Sequence, residues 1–137
     1  MKKIFTACFM VLMAVFMVGC GDDNGGGGGG SPAPADTTRP TVSSTIPANV
    51  ATGVAINSNI TATFSEAMNA TTITTATFTL TQGATPVPGA VTYAGTVAVF
   101  NPTSNLAAST AYTATITTGA KDLAGNALAV NKTWSFT

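Results

Sequence analysis

The sequence of 137 residues contains no histidine, and its charge is sparse, with five Lys and Arg against five Asp and Glu. Without imidazole, a serine or cysteine nucleophile lacks its usual base, and metal ligands reduce to a few carboxylates. A net charge of zero argues against nucleic acid, for which a basic stripe is expected. Cysteine is nearly missing too: Cys8 and Cys20 cannot build a disulfide framework. A transmembrane-length apolar run is also lacking, because the run from Ile4 to Val18 is closed by Gly19, Asp22 and Asp23, short of the roughly 20 residues a helical span requires. Enzymatic activity is therefore not expected. A paired-carboxylate hydrolase would have to use Glu66 and Asp122, with Asp36 at the border, and these lie far apart in sequence.

What the first twenty residues do contain is an export signal: Lys2 and Lys3, an apolar body, then the small residue Gly19 directly before Cys20. Residues 17–20, Met-Val-Gly-Cys, resemble the lipobox of bacterial lipoproteins, although the pattern usually has leucine where Met17 stands. The resemblance implies cleavage between Gly19 and Cys20 and a lipid on Cys20, so that residues 1–19 form a signal peptide. Cys8 leaves with the leader, and a lone thiol in an oxidising compartment is protected once it carries a thioether lipid. Two or three acyl chains are expected, since each buried methylene contributes about 0.8 kcal/mol and one chain holds weakly. Gly21, rather than an aspartate, follows Cys20, which points to the outer membrane rather than retention at the inner one. Whether the protein faces the periplasm or the exterior stays open at this stage.

Residues 20–36 hold the cysteine and a linker with Asp22, Asp23, six consecutive glycines from Gly25, and then Ser31, Pro32, Ala33 and Pro34. Nothing here can build a core. Such a coil spans roughly 20 to 25 Å on average, which lifts the following domain clear of the lipid headgroups. A phosphate loop would need a preceding strand, a following helix and a Lys followed by Ser or Thr, all missing here.

Residues 37–137 are enough for one domain. About a quarter of them are threonine, and only Arg39, Glu66, Lys121, Asp122 and Lys132 are charged. Beta-branched residues at this density favour strands. Alternation agrees, with Ile60, Ala62 and Phe64 on one face against Thr61, Thr63 and Ser65 on the other. The same period recurs at Phe78 and Leu80, at Val97 and Val99, and at Tyr112, Ala114 and Ile116. Seven short strands are expected, over 41–46, 59–65, 77–82, 90–93, 96–101, 111–117 and 132–136, in a two-sheet antiparallel sandwich. A single helical turn capped by Asn69 is expected between Met68 and Thr75, crossing from one sheet to the other.

The run from Asp36 to Thr41, then Ile46-Pro47, Ala51-Thr52-Gly53-Val54 and Phe64-Ser65-Glu66-Ala67-Met68, resembles the bacterial Ig-like domain first associated with S-layer proteins. The closing Lys121-Asp122-Leu123-Ala124-Gly125-Asn126 and Trp134-Ser135-Phe136 agree. The resemblance covers 37–137 and implies an all-β immunoglobulin-like sandwich without an intersheet disulfide, a module common in secreted, adhesive and envelope proteins. This sequence departs by holding one copy, which weakens any array role. Leu106, Ala108, Thr110 and Tyr112 have the spacing of the tyrosine corner in related sandwiches, a structural role.

Two sets of residues invite a ligand. Asp36, Glu66, Asp122 and Asn126 offer oxygens for calcium, which takes six to eight. Turn chemistry is the favoured alternative, with Asp122 accepting backbone bonds and Gly125 supplying a positive φ. Trp134 is of a residue type that contacts sugars when exposed, but its alternation with Phe136 in a terminal strand favours core packing. Tyr93 is equally compatible with surface and core. The expected function is thus a lipid-anchored envelope module that meets another envelope protein or a polysaccharide, with no cofactor beyond the lipid. The alternatives are a small carbohydrate or calcium binder, or a truncated remnant of a multidomain surface protein.

Overall fold

The computed structural model describes residues 33–137, so the leader, Gly19, Cys20 and most of the linker lie outside the described residues. Residues 34–137 form one compact unit. Eight strands make it up: β1 (Val42–Ile46), β2 (Ile60–Phe64), β3 (Phe78–Gln82), β4 (Thr85–Pro86), β5 (Gly89–Ala94), β6 (Val97–Pro102), β7 (Tyr112–Ile116) and β8 (Lys132–Phe136). They divide into two antiparallel sheets, ordered β1-β2-β6-β5 and β4-β3-β7-β8. The first has the order A-B-E-D of an immunoglobulin fold, and the second contains its C-F-G with one further edge strand.

That further strand is β4, which no alternation announces because it has only two residues. Pro86 is tolerated there since it lies on an edge, paired with Thr81 on one side alone. Between β2 and β3 the chain changes sheet through a 3-10 turn over Ala70–Thr72, where the Asn69 side chain caps by accepting from Thr71 N. The expected turn and its cap are therefore present.

Alternation places one face of each strand inside. Ile60, Ala62 and Phe64 of β2 are buried, as are Phe78 and Leu80 of β3 and Tyr112, Ala114 and Ile116 of β7. In β6 the parity is the reverse of the sequence expectation. Ala98 and Phe100 point inward while Val97 and Val99 lie half-buried on the outer face. Pairing decides this: Phe100 sits opposite Ile60 and Ala98 opposite Ala62, so β6 must present the same side as β2. Phe78 joins the two sheets, with ring centroids 5.7 Å from Phe100 and 5.9 Å from Trp134. Across the β7–β8 ladder, the small Ala114 stands opposite Trp134.

The outer edge of β8 is not free. The β1–β2 connection runs along it, with Val50 N donating to Ser135 O at 2.7 Å, Thr137 N to Ala51 O at 2.8 Å and Ser135 N to Asn49 Oδ1 at 3.0 Å. Val50 adopts φ 59° to make this fit, a left-handed conformation that β-branched residues avoid.

Candidate functional site

Three segments distant in sequence meet at one corner of the sandwich: the stretch before β1, the loop after β2 and the loop between β7 and β8. They bring Asp36, Glu66 and Asp122 together, with one carboxylate oxygen from each lying within 4.8 Å of the others. Asp122 is buried, Glu66 half-buried and Asp36 exposed. Together with Ala67, Leu123 and Ala124 they line an open depression of about 420 Å³.

The loop chemistry that shapes this corner is local. Asp122 N donates to Asn126 O at 2.9 Å, and Asn126 N returns a bond to Asp122 Oδ1 at 2.8 Å. Asn126 Nδ2 donates to Asp122 Oδ2 at 2.8 Å and to the Asp36 carbonyl at 3.0 Å. Gly125 closes the turn at φ 95°, where a side chain would be strained. Asn126 is thus a clamp: its amide nitrogen orients the Asp122 carboxylate and tethers the main chain that carries Asp36. The turn role foreseen for Asp122 and the convergence of acids coexist at one corner.

The β2 side is held by other groups. Met68 forms an antiparallel bridge with Asp122, and Asn69 N donates to Lys121 O at 2.8 Å. Met68 N also donates to the Tyr93 hydroxyl at 2.6 Å, and that hydroxyl donates to Gly95 O. Sequence reasoning left Tyr93 open between surface and core. It is half-buried, its ring edge-on to Phe64 at 6.3 Å, and it fixes the loop that carries Glu66 at a point two residues beyond that acid. No local sequence signal marks this tethering role, because it joins Tyr93 to a residue 25 positions away.

Electrostatics separates the acids. Burial, then the charges of Asp122 and Asp36, raises the Glu66 carboxyl above its ordinary value. Burial pushes Asp122 upward as well, but the bonds from the Asn126 side chain and backbone, and from Gly125 and Ala124, outweigh it and leave the carboxyl below its ordinary value. The two shifts run in opposite directions, so Glu66 takes up a proton more readily than Asp122.

The remaining singled-out residues lie elsewhere. Trp134 is 1% exposed in the core, its Nε1 without a hydrogen-bond partner, which leaves no sugar-facing surface on it. The Tyr112 hydroxyl accepts from Ala107 N at 2.7 Å, while its ring stacks on Phe136 at 5.9 Å. Leu106 is buried beside it, with its N–H donating to Ile56 O at 2.7 Å. Among the described residues no helix is long and apolar enough to cross a membrane.

Comparison with known proteins bears on the fold. The N-terminal part of the bacterial S-layer protein SbsC superposes with a TM-score of 0.56 at 23% identity, over 73% of this chain and 23% of that one. Domains 1–6 of the surface layer protein SbsC give 0.57 at 23% identity, over 74% of this chain and 14% of that one. The chain thus spans less than a quarter of the length of these S-layer structures. Among curated proteins, none matches. The family model described as "Bacterial Ig-like domain" matches residues 36–137, the same stretch that folds into the two four-stranded sheets, and the chain belongs to that family.

Proposed function

We propose that this protein is a lipid-anchored component of the bacterial cell envelope that presents one Ig-like sandwich as a structural or protein-interaction module. The observation that carries the reading is Gly19-Cys20 at the end of a basic and then apolar leader, joined by a glycine tract to a domain of this family. The S-layer proteins of similar fold support an envelope setting. Adhesion to a polysaccharide is the weaker form of the proposal, because Trp134 is buried and no aromatic among the described residues is exposed to stack against a sugar. Mass spectrometry of the mature N-terminus tests the anchor, with lipidated Cys20 as the expected first residue. Membrane association unchanged in Cys20→Ser would sink it. Protease shaving of intact cells then separates a surface-facing from a periplasmic domain.

The convergence of Asp36, Glu66 and Asp122 favours a second reading, in which this corner holds calcium. Hard oxygen donors suit that ion, and backbone carbonyls would complete its six to eight ligands. Asp122 and Glu66 would be the principal ligands, Asp36 the exposed one, and Asn126 their positioning group. Calcium should raise the melting temperature of the wild-type protein and leave that of Glu66→Gln nearly unmoved. Equal shifts in both would reject the site.

A further inference from the structure

A sheet edge exposes unpaired N–H and C=O groups that can template another strand, and folded proteins commonly blunt such edges. Three of the four edges here are blunted. Strand β8 is covered by the β1–β2 connection, β4 has two residues of which one is Pro86, and β1 carries a bulge between Val42 and Ser44. The fourth, β5, is different. It runs six residues as Gly-Ala-Val-Thr-Tyr-Ala, with no charge and no proline. Among the described residues, no main-chain hydrogen bond outside its ladder with β6 engages it.

The side of β5 that faces outward follows from the hairpin. Gly95 at φ 60° is the first central residue of a two-residue turn, so Ala94 and Val97 form a hydrogen-bonded pair. Thr92 with Val99 and Ala90 with Asn101 repeat it. The opposite side of β6 agrees, since Thr96 O accepts from Phe64 N toward β2. The main-chain groups of Val91 and Tyr93 therefore point away from the sheet. Their side chains are packed against the core, and Tyr93 is further fixed through its hydroxyl to Met68 N, so the edge is rigid before anything meets it.

We infer that β5 is a docking edge for β5 of a second copy of this chain, paired antiparallel about a two-fold axis at Thr92. In that register Val91 and Tyr93 of one copy exchange both N–H···O bonds with Tyr93 and Val91 of the other. Ala90 falls opposite the second copy's Ala94, and Thr92 opposite its own equivalent. These exposed side chains are small and uncharged, so the strand meets itself without repulsion or clash. Nothing along it forms the alternating pockets by which an edge selects a foreign peptide. The β1-β2-β6-β5 sheets of the two copies become one continuous sheet, and the small contact makes the dimer weak and concentration-dependent. This inference is independent of the lipid on Cys20.

The test uses the full chain in mild detergent, its mass followed by light scattering as concentration rises. Wild-type protein should pass from monomer to dimer. Thr92→Lys and Thr92→Glu, both at an exposed position, should each remain monomeric because like charges then face across the axis. An equimolar mixture of the two should recover the dimer, a rescue that misfolded variants could not give. A wild-type chain that stays monomeric at millimolar concentration, a dimer that persists in Thr92→Lys, or a mixture that fails to recover association would each overturn the proposal.

Discussion

At the scale of single residues, three side chains set clear expectations. Tyr112 combines a stacked ring with a hydroxyl that accepts from Ala107 N, so Tyr112→Phe keeps the packing and removes one part-buried hydrogen bond. A loss of about 0.5 to 1.5 kcal/mol in denaturant-derived stability is expected. Trp134 is the opposite case. Its indole N–H is already unpaired in the core, so Trp134→Phe gives back part of what the lost ring volume costs, whereas Trp134→Ala should lose about 3 to 5 kcal/mol. Comparing the two midpoints in urea checks the difference. Val50 holds a left-handed conformation while 72% exposed, with little packing to compensate. Val50→Asn should therefore stabilise the domain by about 1 kcal/mol, because asparagine tolerates that conformation.

At the scale of elements, the β5–β6 hairpin is built around a close approach. A Cβ on Gly89 would lie 2.5 Å from one carbon of the Phe100 ring and 2.7 Å from the Asn101 carbonyl. The second neighbour is backbone and cannot swing aside. Gly89→Ala should cost about 1 to 3 kcal/mol, read as a lower thermal midpoint, even though alanine is ordinarily an acceptable residue there. The same hairpin marks where strand reading from sequence went astray. Val97 and Val99 alternate as well as any core pair, but Ala98 and Phe100 occupy the buried face. A run of Val-Ala-Val-Phe is apolar on both sides, so its inner face is chosen by the register with β2 and not by its own pattern. Strand β4 escaped notice for a related reason: two residues hold no period, and only pairing with β3 makes them a strand.

At the scale of the whole molecule, the acidic corner ties the segment before β1 to both sheets, and its titration should register in global stability. Asp122 has a lowered carboxyl pKa in the folded state, so its contribution is present above its ordinary value of 3.8 and is lost as pH falls through the lower folded value. Glu66 runs the other way. Its raised pKa favours folding below its ordinary value of 4.5, and that contribution disappears as pH rises through the higher folded value. Without calcium, Glu66→Gln should consequently melt higher than wild type at pH 7, with the gap closing below about pH 4. Asp122→Asn should melt lower at pH 7 and converge with wild type in acid. Thermal melts of the three proteins across that range decide both signs.

Sequence alone determined the class of this fold. Beta-branched density, two-residue alternation at Ile60-Ala62-Phe64 and Tyr112-Ala114-Ile116, and the Asn69 cap are properties of neighbouring residues, legible wherever local preference and burial agree. Only the tertiary structure decided that Asp36, Glu66 and Asp122 share one corner, that Asn126 ties the Asp122 carboxylate to the Asp36 main chain, and that among the described strands β5 alone keeps a long unguarded edge. Those facts depend on which distant strands pair and in what register, and pairing is settled by the summed packing of the core rather than by any segment's own sequence.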